Sequence, residues 1–92
     1  MDSVQRRILM FLWLCEQNTT GLTVLRKITR TSFGELTLAV ERLEQNGFIL
    51  RESADVRAIV KLLMDGREYV KARGLDKVTK EESREINDRL RE

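Results

Sequence analysis

Proline is missing from all 92 residues and glycine occurs only five times, so long stretches carry no helix breaker and a mostly helical chain is expected. Histidine is missing as well. A Ser/His/Asp triad, a Cys/His dyad and every histidine-bearing zinc site are thereby excluded. The single cysteine, Cys15, has no partner for an intrachain disulfide. It lies in an apolar run, as a small core residue of a protein from a reducing compartment would. With no glycine-rich phosphate loop and no metal-ligand cluster, the chain is expected to be neither an enzyme nor a holder of a metal or cofactor.

Long hydrophobic runs are also lacking. Ile8 to Cys15 is eight residues, far short of the ~20 that span a bilayer. Arg6 and Arg7 ahead of it imitate a signal peptide, but Glu16, Gln17 and Asn18 leave no small-residue cleavage site, so a cytoplasmic protein without a membrane partner is expected. What is present fits one folded domain: 41% of residues are hydrophobic and 35% charged, and the length suits a single core. The net charge is only +2, but it is unevenly spread. Residues 1–30 hold Arg6, Arg7, Arg26, Lys27 and Arg30 against Asp2 and Glu16, whereas residues 31–74 balance seven against seven. Any surface facing a polyanion should draw on the first third.

Val4, Ile8, Phe11, Leu12 and Cys15 recur at helical spacing and predict a first helix over Val4 to Gln17, capped by Asp2 or Ser3. Its apolar surface is wider than a surface helix needs, so it is either central in the core or shared with a partner. Asn18 to Gly21 reads as a turn, and Leu22, Leu25 and Ile28 line a short second helix ending near Arg30. Ser32 with Glu35 forms a capping box for a third helix, whose buried stripe is Leu36, Ala39, Val40 and Leu43 and whose stop is Asn46-Gly47. A hairpin follows, Phe48 to Arg51 and Val56 to Leu63 around the polar turn Glu52 to Asp55, with Val56, Ala58, Val60 and Leu62 facing inward. Asp65-Gly66 opens a fourth helix, Arg67 to Arg73, from which Tyr69, Val70 and Leu75 pack back. Residues 76–92 carry pairs such as Glu81 with Arg84 and Glu85 with Arg89, with a thin apolar seam, and read as an exposed helix. The expected class is mainly α with a small β-hairpin: a domain at 1–74 and a charged helical extension at 75–92.

Three strings carry a family resemblance. Leu36 to Ile49, with its Leu43-Glu44-Gln45-Asn46-Gly47-Phe48 core, resembles the recognition helix and wing entry of winged helix-turn-helix transcriptional regulators. Leu62 to Gly74 is similar to the string that closes the wing in MarR-like and PadR-like proteins, with Leu63 where those usually have threonine. Thr31 to Leu36 resembles the helix-turn-helix junction of small archaeal regulators, some of which dimerise through a C-terminal helix. The resemblance covers residues 4–74.

It implies a winged helix with a three-helix core, a wing and a C-terminal helix, acting as a double-stranded DNA-binding transcription regulator with helix 32–46 in the major groove. The outward residues of that helix are Phe33, Gly34, Glu35, Thr37, Leu38, Glu41, Arg42 and Gln45. Arg42 would contact guanine, Gln45 adenine, and Thr37 or Leu38 a thymine methyl. Phosphates fall to Arg26, Lys27, Arg30, Thr31 and Ser32, with Arg51 and Arg57 at the wing tip. Glu35, Glu41 and Glu44 oppose phosphate contact unless spent on the cap or on neighbouring cations. A homodimer is expected, with Leu9, Trp13 and Leu14 of the first helix and Val78, Ile86 and Leu90 of the last at its interface. The competing expectation is a winged helix used for protein–protein contact in a larger assembly.

Overall fold

A computed structural model describes residues 1–53 and 55–92. The helices are α1 (Ser3–Leu14), α2 (Leu22–Thr29), α3 (Phe33–Gln45), α4 (Met64–Ala72) and α5 (Lys80–Leu90). Three short strands, β1 (Thr19–Gly21), β2 (Ile49–Arg51) and β3 (Ile59–Leu62), form an antiparallel sheet in the order β1-β3-β2.

Asp2 caps α1, its carboxylate accepting from the Gln5 amide at 2.9 Å. The helix ends at Leu14, short of the expected Gln17, because Cys15 turns extended, φ −72° and ψ 146°, and Gln17 and Asn18 then take left-handed backbone with φ of 57° and 53°. The Asn18 side-chain amide donates to the Leu12 and Trp13 carbonyls at 3.1 and 3.2 Å, satisfying acceptors that a further turn would have used. The chain then leaves in extended form, and the expected turn at Asn18 to Gly21 is instead largely strand, Thr19 pairing with Lys61 and Gly21 with Ile59. Burial pushes the half-buried Cys15 thiol up from its ordinary value, with a Thr20 hydrogen bond pulling the other way.

Ser32 caps α3, its hydroxyl oxygen accepting from the Glu35 amide and the hydroxyl donating to the Glu35 carboxylate, both at 3.1 Å. The return bond therefore runs through the side chain rather than through the Ser32 amide of a full capping box. At the other end Gly47 has φ of 75° and the Phe48 amide donates to Leu43 at 3.1 Å, the paired bonds of a Schellman stop being completed by Gly47 to Glu44 at 2.9 Å.

The hairpin differs from expectation at its far end. Val56 is 47% exposed and β3 begins only at Ile59. The reason is local: Ala58 donates to the Asp55 carbonyl and Arg57 to the Asp55 carboxylate, both at 3.0 Å, winding residues 55–58 into a turn. Of the expected turn Glu52 to Asp55, Ala54 lies outside the described residues. Gly66, in the first turn of α4, is glycine for a steric reason, since a Cβ there would lie 2.2 Å from the Phe48 carbonyl oxygen.

The core joins α1, α2, α3 and the sheet, with Ile8, Leu12, Leu25, Leu36, Val40, Leu43, Val60 and Val70 fully buried. Helix α1 is its centre, five successive residues from Ile8 to Leu12 being buried. Leu9 is among them, so its assignment to a dimer interface is overturned: no part of it reaches the surface. Helix α5 buries no residue, though Ile86 packs against the core. A reciprocal capping box, Thr79 with Glu82, starts it.

Candidate functional site

Burying Leu36, Ala39, Val40 and Leu43 turns the opposite side of α3 outward by helical periodicity. That outer strip is Gly34, Leu38, Glu41 and Gln45, all exposed. Thr37 is only half-exposed and its hydroxyl donates to the Phe33 carbonyl at 2.8 Å, so its polar group is partly spent inside the helix. Arg42 stands at the flank, its guanidinium 4.0 Å from the Asp2 carboxylate at the start of α1. Arg42 and Gln45 line one open depression with Asp2, Gln5 and Phe48.

Beside the leading end of α3 the turn from α2 collects the expected cations. Arg26, Lys27, Arg30, Thr31 and Phe33 line one open groove of about 400 Å³, together with Val56 of the wing and Glu92. The turn is tight because Arg30 takes the left-handed conformation, φ 53°, its amide donating to Arg26 at 3.0 Å. Thr29 bridges it underneath, bonding the Leu25 carbonyl at 2.7 Å and the Thr31 hydroxyl at 2.9 Å. Thr31 is thus partly turned toward Thr29, whereas Ser32 is exposed. Arg30 is paired with Glu92 from the end of the chain, and Arg26 donates to the Thr31 carbonyl at 3.4 Å. Lys27 forms no ion pair among the described residues.

The two arginines expected at the wing tip separate. Arg57 is exposed near the tip. Arg51 has a side chain only 13% exposed, its guanidinium 3.5 Å from the Glu44 carboxylate, which also accepts from the Arg51 amide at 3.2 Å. The wing-tip role expected of Arg51 is therefore replaced by a tie between β2 and α3. The long-range pairing that consumes it has no sequence signal. The same pair sorts the acidic residues of α3: Glu35 serves the cap, Glu44 holds Arg51, and Glu41 has no ion-pair partner among the described residues.

The residues expected at a dimer interface are also dispersed. Trp13 is half-buried against α4, with the Arg67 guanidinium 5.7 Å and the Lys71 amine 5.9 Å from its ring centroid. Leu14 is 49% exposed. Val78 and Ile86 are half-buried, and Leu90 is exposed. Helix α5 folds back along α1 through Arg6–Glu82 at 3.8 Å and Arg7–Glu85 at 3.3 Å, while Glu85 also holds Arg89 within α5 at 2.5 Å. Arg89 also donates to the Ile28 carbonyl at the end of α2. The expected Glu85–Arg89 pair forms, whereas Glu81 and Arg84 form no ion pair among the described residues.

A tight-turned helix pair carrying an outward third helix, followed by an antiparallel hairpin, defines a winged helix-turn-helix protein. No protein-family model matches the chain, and no curated protein sequence does. Solved structures do. A MarR family transcriptional regulator from Streptomyces coelicolor, in complex with DNA, is 27% identical and superposes with a TM-score of 0.71 over 99% of this chain and 66% of its own. A second MarR family regulator from that organism is 21% identical, TM-score 0.68, over 95% of this chain and 68% of its own. The zinc-responsive MarR family member ZitR from Lactococcus lactis is 22% identical, TM-score 0.64, over 98% and 72%. The chain has the winged-helix fold of MarR family regulators and spans about two thirds of the length of these examples. No helix among the described residues is long and apolar enough to cross a membrane.

Proposed function

We propose that the chain is a double-stranded DNA-binding transcription regulator that lays α3 in the major groove. One observation carries the reading: the protruding face of α3 adjoins, at its N-terminal end, a groove lined by Arg26, Lys27 and Arg30. Arg26, Lys27, Ser32 and the α3 amides would hold one phosphate run, and Arg57 of the wing a neighbouring one. Arg30 joins them when Glu92 gives way. That a 27% identical MarR family regulator was solved in complex with DNA supports DNA binding. With ~4–6 phosphate contacts per chain, a single copy binds weakly, so a homodimer reading two half-sites is part of the proposal. Leu14 and Leu90 are the open apolar residues of the expected interface available to it, with Val78 half-buried. A second reading, contact with a protein, is favoured by the exposed Leu50 and Ile59 on the outer face of the sheet.

A salt titration of binding to mixed-sequence duplexes separates the two. Counted per bound chain, affinity should fall with salt at a log–log slope of about −4 to −5, and changing Arg26, Lys27 and Arg30 together to alanine should flatten that slope by about 3 per chain. Absence of binding at low salt, or a slope untouched in the triple variant, overturns the DNA reading.

A further inference from the structure

Gly34 has no internal reason to be glycine. Its φ is not positive, and a Cβ built on it would meet nothing within 4 Å. Glycine in a helix is nonetheless less favourable than alanine. What it does supply is clearance on the outermost strip of α3, one turn before Leu38 and two before Glu41.

The strip it opens is not basic. Of the three carboxylates on α3, Glu35 is engaged by Ser32 and Glu44 by Arg51, while Glu41 stands between Leu38 and Gln45 without an ion-pair partner among the described residues. Arg42, the expected guanine reader, is drawn toward Asp2 at the flank. A carboxylate in the major groove is repelled by phosphate whatever the sequence. The repulsion is offset where a base edge offers a proton donor. Cytosine N4, with an acceptor on one side only, guanine O6 across the pair, suits a carboxylate better than adenine N6, which lies between its own N7 and the thymine O4. Leu38 matches a thymine methyl and Gln45 the N6/N7 edge of adenine. From Leu38 to Gln45 the strip runs about 10 Å along the helix axis, or about three base-pair steps.

Resting on the DNA-binding reading above, we infer that Gly34, Leu38, Glu41 and Gln45 are the base-reading surface and that Glu41 selects a cytosine within a short mixed site. Glu41 sets specificity at a cost in affinity, and Gly34 sets how closely the helix approaches.

The experiment selects duplexes from a random pool with the full chain, then measures affinities for the selected duplex and its single-pair variants. The wild type should require cytosine at one position and lose about tenfold or more when that C·G pair becomes T·A. Glu41→Gln should reduce that discrimination to about twofold or less and bind unrelated duplexes more tightly, because a repulsion is gone. Gly34→Ala should fold at least as stably as wild type and weaken binding to every duplex. Glu68→Gln, which removes the same charge from exposed α4 surface, should behave as wild type. If Glu41→Gln binds with an unaltered cytosine requirement, or Gly34→Ala binds as well as wild type, the inference fails and the DNA reading stands. If the wild type binds no duplex at low salt, the reading beneath it fails.

Discussion

Helices α3 and α5 are of similar length, each has a side-chain N-cap, and each is amphipathic, yet they are attached to the molecule by different forces. Leu36, Ala39, Val40 and Leu43 insert α3 into the core, whereas α5 buries no residue and packs on the core through Ile86. It is held by Arg6 and Arg7 on its carboxylates, by Arg89 on the end of α2 and by Arg30 on Glu92 just beyond it. Apolar burial is not screened by salt and is cooperative with the rest of the core. Exposed ion pairs contribute little each and are screened. The base-reading role proposed for α3 requires side chains held in fixed register, which anchoring in the core supplies. An attachment of the kind α5 has is expected to open while the core stays folded.

The largest expected effect comes from attacking the first kind of attachment. Leu43→Ala removes a fully buried side chain beneath α3 and should cost about 2–5 kcal/mol. At this chain length that lowers the melting temperature by more than about 10 °C. A loss below about 1 kcal/mol would mean that α3 is not core-anchored.

Arg89→Ala attacks the second kind. Its guanidinium bonds both Glu85 and the Ile28 carbonyl, and its loss should cost about 1–2 kcal/mol of local stability. Amide exchange should quicken over 80–90 while Leu36 to Leu43 keep their protection. Raising salt on the wild type should shift exchange the same way. Equal loss of protection in both helices would erase the distinction between them.

The same division explains what could be read in the chain. The body of the fold is legible because periodicity reports burial: Leu36, Ala39, Val40 and Leu43 at helical spacing, and Ala58, Val60 and Leu62 at alternate positions, are core residues in fact. Caps are legible because they are local, as with Ser32 and Gly47. Strand β1 is not: Thr19 to Gly21 has no apolar alternation and becomes a strand because β3 offers it an edge. Leu9 is misassigned because a helix that is apolar on every side looks alike whether its own chain or a second copy surrounds it. In the candidate site, the cluster of Arg26, Lys27 and Arg30 follows from adjacency along α2. The withdrawal of Arg51 to Glu44, of Arg42 toward Asp2 and of Arg30 to Glu92 depends on partners 7, 40 and 62 residues away, which spacing does not encode.

The two caps give the finest test of the comparison. Ser32 and Thr79 each accept an amide at 3.1 Å from the residue three positions on, so removing either hydroxyl deletes the same bond. Ser32→Ala should cost about 1 kcal/mol, registered in full by the global unfolding midpoint, because α3 unfolds only with the core. Thr79→Ala deletes a comparable bond from a helix that opens separately. It should leave the global midpoint within about 0.3 kcal/mol and appear instead as faster exchange confined to 80–90. Denaturant titration with exchange measured on both variants decides between the cases. A Thr79→Ala midpoint shift equal to that of Ser32→Ala would make α5 part of the same cooperative unit as α3, with its ion pairs supported by more apolar contact than Ile86 alone supplies.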